Sequence, residues 1–276
     1  MGTQAVTYAA GKKVPMPKWV RVLIGFGIAV VMGGIYLWLF GVQTGMALVA
    51  RYKFAPMPGI DKTPVALTDA SVSSTAHQKI SYFGYELELP WDDLDRQKDR
   101  TFGTVHISYF QSGNIFWFSS FPPKNFVNEL TKSAKFNPET LRQVFGEETI
   151  QSDYAFFRTM LAVTPRAIGP FMPRQRAVAE SMLLLIKAIA MPKADSGIFA
   201  IQAESFQGFQ FENPQNRPPR IVDDLYSNDG GVELMFMLKP GGNGTGISQA
   251  EINRVIRSIH KVSSSSDEPG AKAAKK

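Results

Sequence analysis

The stretch Val22–Ala50, VLIGFGIAVVMGGIYLWLFGVQTGMALVA, constrains this chain more than any other, because it holds no Asp, Glu, Lys, Arg or His. Roughly 20 apolar residues in a helix cross a ~30 Å hydrocarbon core. A charge at the centre of such a helix costs about 2.5–3.5 kcal/mol on insertion scales. The stretch has the length and avoids that cost, so it reads as a membrane-spanning helix with its hydrocarbon core at about Val22–Val42. Trp19 at the front edge and Tyr36 and Trp38 towards the far end are amphipathic rings suited to the headgroup layer. A cleaved signal peptide has a shorter apolar core, roughly 7–15 residues, and a small-x-small cleavage site. A break after Ala50 would put Leu48 in the third-last position, so a retained anchor fits better.

Gly25, Ala29 and Gly33 are four residues apart and share one helix face. Small residues on one face let a second helix approach closely. The pattern suits a homodimer through the membrane helix or docking to another membrane protein. It is also ordinary composition for a membrane helix.

The net charge is +6, but its placement matters more than its size. Lys12, Lys13, Lys18 and Arg21 precede the apolar stretch; Arg51, Lys53 and Lys62 follow it. The excess of positive residues before the span is slight. It favours a cytoplasmic N-terminus and a main domain outside, periplasmic or extracellular. With Lys272, Lys275 and Lys276 in the tail, these flanking charges explain much of the excess, so it does not read as nucleic-acid binding. The absence of cysteine excludes disulfides, thiolate metal sites and a cysteine nucleophile.

The rest divides into a leader (1–21), the membrane helix (22–44), a linker (45–78) rich in Pro and Ser, a globular domain (79–262) and a polar tail (263–276). The domain opens with strands. Ile80–Leu89 alternates around Gly84 and reads as a half-buried strand. Thr101–Phe110 and Asn114–Ser120 form a hairpin around Gln111–Asn114. Helices follow at Asn125–Lys135, at Asn137–Phe145 with Asn137 as cap and Pro138 in the first turn, at Asp153–Val163 and at Arg174–Met191. Strands return at Gly197–Ala203, Phe206–Phe211, Arg220–Tyr226 and Val232–Leu238. The last helix, Ser248–Val262, carries capping-box spacing at Ser248 and Glu251. Strands, helices, strands, helix is the order of an α+β fold: a mostly antiparallel sheet packed by helices, sandwich-like. In layout alone it resembles small α/β/α sandwiches such as the PsbP-like proteins. No motif ties that resemblance to particular residues, and it carries no function.

No familiar chemistry assembles from local motifs. Gly241 and Gly246 have phosphate-loop spacing, but Ile247 stands where the lysine belongs. Asp92, Asp93 and Asp95 begin like a calcium loop without its later Gly and Glu. His77, His106 and His260 stand apart from other metal ligands, so neither a cofactor nor a metal is expected. Phe116, Trp117, Phe118 and Phe121, opposite Tyr109 and Phe110, could form a recognition surface or a core. Arg158, Arg166, Arg174, Arg176, Lys187 and Lys193 flank the central helices and could face anionic lipid or water.

The leading reading is a single-pass protein that displays an extracytoplasmic α+β domain and acts by binding, as an assembly or accessory module. Its partners would be the bilayer and another envelope or membrane protein. The alternatives are a membrane-tethered hydrolase built from separated residues, with His106 the candidate to test, and a module that binds a small ligand or lipid.

Overall fold

The computed structural model describes residues 18–67, 71–74, 78–132, 137–191, 197–213, 220–241 and 247–262, without the side chains of 18–24 and 212–213. The leader before Lys18, His77, Lys193, most of the glycine-rich loop after Gly241 and the tail from Ser263 lie outside the described residues.

Helix α1 (Lys18–Val49) runs without interruption into a π turn, Ala50–Phe54. Residues 25–35 are exposed all round, whereas Gln43, Ala47 and Ala50 are buried against the domain. The helix is long and apolar enough to cross a membrane. The linker expected over 45–78 is corrected here, because its described residues are built into the fold. Ala47, Ala50 and Ile60 belong to a hydrophobic core. Strand β1 (Pro64–Ala66) pairs in parallel with a strand more than 130 residues later. Ser71 and Ser73 are held by Asn253 and Arg254. Prolines and serines set local backbone preferences, but a few apolar residues between them were enough to find a groove.

Strands β2 (Gln78–Tyr82) and β3 (Tyr85–Leu89) are two strands where the sequence suggested one. Phe83 and Gly84 both have positive φ, at 52° and 77°, which is the tight-turn geometry that matches strand twist. The same correction applies to Thr101–Phe110, which is β4 (Arg100–Phe102) and β5 (Val105–Tyr109) folded about Gly103 at φ 57°. β6 (Ile115–Phe121) follows as expected.

Four helices then form α2 (Asn125–Lys132), α3 (Pro138–Phe145), α4 (Asp153–Ala162) and α5 (Arg174–Ala190). α3 starts where its residues dictate: Asn137 Oδ1 accepts the Glu139 amide at 3.0 Å. Strands β7 (Gly197–Gln202), β8 (Phe206–Asn213), β9 (Arg220–Ser227) and β10 (Glu233–Lys239) make an antiparallel meander. The expected capping box starts α6 (Gln249–Ser258), which ends before the two-residue β11 (His260–Lys261).

Among the described residues the main sheet has the order β1-β7-β8-β9-β10-β6-β5-β4, with only the β1–β7 pair parallel. Alternation along a strand sends neighbours to opposite faces. In β9, Val222 and Tyr226 join the core beneath α2–α5 and the end of α1, while Ile221 and Leu225 join a second core. That second core lies under α6 and the small sheet β11-β3-β2. The fold is therefore α+β with a layer on each face of a mostly antiparallel sheet.

Candidate functional site

Alternation also decides the fate of the aromatic run in β6. Phe116 and Phe118 are fully buried in the second core, so the recognition surface expected of them is corrected to core packing. Trp117 points to the other face, opposite Ile107 on one side and Met237 on the other. Phe121, also half-buried, is opposite Glu233. On that face Val105, Ile107, Tyr109, Ile115, Trp117, Met235 and Met237 are all half-buried. None of them belongs to either core. The helices cover the β7–β9 half of this face and leave the β4–β6 half as an apolar, aromatic and Met-rich surface.

Between those halves lies a group of acids that local sequence patterns do not reveal. Asp153 opens α4, and its two carboxylate oxygens accept the amides of Phe126 and Val127 at 2.9 Å each, capping α2. Asp224 on β9 and Glu233 on β10 point to the same face, and Tyr226 Oη donates to Asp224 Oδ2 at 2.6 Å. All four residues are buried. Asp224 Oδ1 and Glu233 Oε2 have no N–H or O–H partner among the described residues. Two adjoining carboxyl groups satisfy each other if they hold a proton between them. Burial pushes both upward; the Asp224 and Asp153 carboxylates push Glu233 further up, whereas the Asp153 charge raises Asp224 and its hydrogen bonds with Tyr226 and Glu233 pull it back. Asp153, Tyr226 and Glu233 line a cleft of about 300 Å³ together with Lys124, whose φ is 57°. Chemically this is a buried carboxyl pair with raised pKa values, of which Glu233 reaches the cleft wall. No group of three His, Asp or Glu among the described residues is arranged to hold a metal ion.

The remaining sequence candidates disperse. His106 is buried, stacked on Tyr82 with centroids 3.7 Å apart, and bonded through Nδ1 to Thr101 Oγ1 at 2.7 Å. Its Nε2 is 3.7 Å from Asp99 Oδ2. Burial lowers its pKa, opposed by Asp99, and it lines none of the clefts described here. His260 is exposed beside Glu86. Asp93 accepts the Ser112 amide and Asp95 pairs with Lys98 at 2.8 Å, so these acids fasten turns. Lys187, expected on a charged helix flank, is instead fully buried. Gly25, Ala29 and Gly33 remain on the bare part of α1, with open space around each glycine.

At the base of the domain, Phe171 meets α1. Its ring lies 6.1 Å from that of Tyr36 and 5.6 Å from that of Phe40, both edge-on.

No protein-family model matches the chain, and no curated protein matches it in sequence. A crystal structure from Bacteroides thetaiotaomicron VPI-5482, at 1.50 Å resolution, aligns with a TM-score of 0.31 and 10% identity. The alignment covers 68% of this chain and 49% of that one, so the chain spans about half the length of the protein it matches. A likeness that slight carries no argument about fold or function.

Proposed function

We propose that this chain is a single-pass membrane protein that holds its α+β domain directly against the bilayer and acts by binding a partner. The observation that carries the reading is the continuity of α1 with the domain. Its bare segment is apolar, while Gln43 and Ala47 in its last turns and Ala50 just beyond it are buried in the fold. A signal sequence is cut away after export, and cutting this one away would uncover the core beneath α5. Binding, as an assembly or accessory module, is supported by the half-buried Tyr109, Trp117, Met235 and Met237, residue types enriched at protein interfaces. The weak charge bias of the flanks favours a cytoplasmic N-terminus and a domain outside, where another envelope or membrane protein is the partner class. Alkaline carbonate extraction of membranes, followed by protease treatment of intact and opened cells, tests this reading. Retention in the pellet, an intact N-terminus and cleavage of the domain from the outer side support it. Release into the supernatant, or a mature chain beginning after Ala50, sinks it.

One observation favours an enzyme as the second reading: the Asp224–Glu233 carboxyl pair, whose Glu233 lines the cleft with Lys124. A pair that holds one proton near neutrality has the makings of a general acid and base. Hydrolase turnover by the full-length protein that is abolished in both Asp224→Asn and Glu233→Gln, with folding intact, would replace binding by catalysis.

A further inference from the structure

We infer that the loop between α4 and α5, residues Pro165–Pro173, is a lipid-surface wedge: Phe171 seats in the bilayer interface beside α1, and Arg166 and Arg174 hold anionic headgroups. This inference rests on the reading of α1 as a membrane span.

The depth of Phe171 follows from its neighbours. Tyr36 and Phe40, its two ring partners, bracket Trp38, which is 84% exposed. Trp19 to Trp38 is 19 residues, about 28 Å at 1.5 Å per residue, which matches one hydrocarbon thickness. A span with Trp19 at one boundary therefore puts Trp38 at the other, and Phe171 level with it. Phe171 is itself 71% exposed, which is unfavourable for a Phe in water and natural in the interfacial layer. The loop that carries it is anchored: Ile168 is fully buried and the Met172 amide bonds to the Gly169 carbonyl.

The charges around the wedge suit phosphate. Arg166 and Arg174 are exposed and make no ion pair among the described residues. Arg174 is three residues from Phe171, so its backbone is within about 10 Å. Arg176, two residues further, is paired with Glu180 at 2.8 Å. α5 has no acid in its first turn to offset Arg174. An anionic bilayer attracts a basic side chain near its surface with about 1 kcal/mol, or about fivefold.

The chain has no cysteine, so Phe171→Cys in the full-length protein takes one polarity-sensitive fluorophore. Glu129→Cys, exposed on α2 at the far end of α4 from the loop, is the reference. Both are placed in nanodiscs of phosphatidylcholine, with or without phosphatidylglycerol, carrying lipids with a quencher near the headgroup. The wedge predicts blue-shifted, quenched emission at position 171 and neither at 129. Equal, water-like emission at both positions in protein that resists carbonate overturns the wedge and leaves the anchor standing. Protein that carbonate extracts overturns both. For the charges, spin-labelled phosphatidylglycerol should lose about fivefold in relative association for each of Arg166→Gln and Arg174→Gln. The lysine variants should restore it. An unchanged preference in the double variant overturns the headgroup role.

Discussion

The Lys187 ammonium donates to the carbonyls of Lys62, Leu161 and Val163 at 2.7, 2.8 and 2.9 Å, using all three of its protons. It ties α5 to the end of α4 and to the segment before β1. Burial pulls its pKa down to about 8, against the opposing pull of Asp61. Lys187→Met keeps the volume but leaves three carbonyls unpaired, so it should lower stability by about 2–5 kcal/mol in urea unfolding. Asp224 and Glu233 give a pH prediction of opposite kind. Their folded pKa values lie above the ordinary carboxylate range, so the folded state holds protons that the unfolded state has released. Stability from this pair is present below about pH 4 and falls as pH rises towards 7 and beyond. The melting temperature should be higher at pH 5.5 than at pH 8.5 (roughly chosen to straddle neutrality), and Glu233→Gln should narrow that gap. Neither feature was legible in the sequence. A lysine on a helix normally reaches water, and acids on two different strands become neighbours only once the register is set.

Elements were most legible where the ends carry their own chemistry. The Asn137 cap before Pro138 and the Ser248–Glu251 box before α6 fix their helix starts through local bonds alone. Ser248→Ala removes an amide acceptor and one side of that box, and should cost about 1 kcal/mol, read as a lower midpoint in chemical denaturation. The hairpins around Gly84 and Gly103 were missed because an apolar alternation continues across a two-residue turn; a single glycine in a strand pattern was the available signal. Gly208 is a different case. It stays within β8, where a Cβ would lie 2.1 Å from the Asp224 carbonyl oxygen. Crowding from the neighbouring strand requires glycine there.

At the scale of the molecule, fold class followed from element order, but the sheet order did not. Nothing local says that β10 pairs with β6 across four helices, or that Pro64–Ala66 closes the far edge. The same pairing splits the β6 aromatics between two faces. Phe116→Ala should cost about 3–5 kcal/mol in stability. Trp117→Ala should cost well below that and, on the binding reading, weaken capture of a partner in crosslinking from intact membranes. Equal stability losses for the two would mean that the β4–β6 face is covered after all.

If α1 spans a bilayer as proposed, its unbroken passage into the fold leaves no joint between bilayer and domain. Membrane helices tilt by about 20° on average, and they tilt further in thinner bilayers. With a hinge at the surface, such a tilt would be absorbed in the chain. Here it is transmitted, so the outer edge of the domain swings sideways by about a third of its distance from the pivot. Rotation of the helix about its own axis likewise turns the Trp117 face through the same angle. On that reading, bilayer thickness and the azimuth of α1 become mechanical inputs that set which way the Trp117 face points.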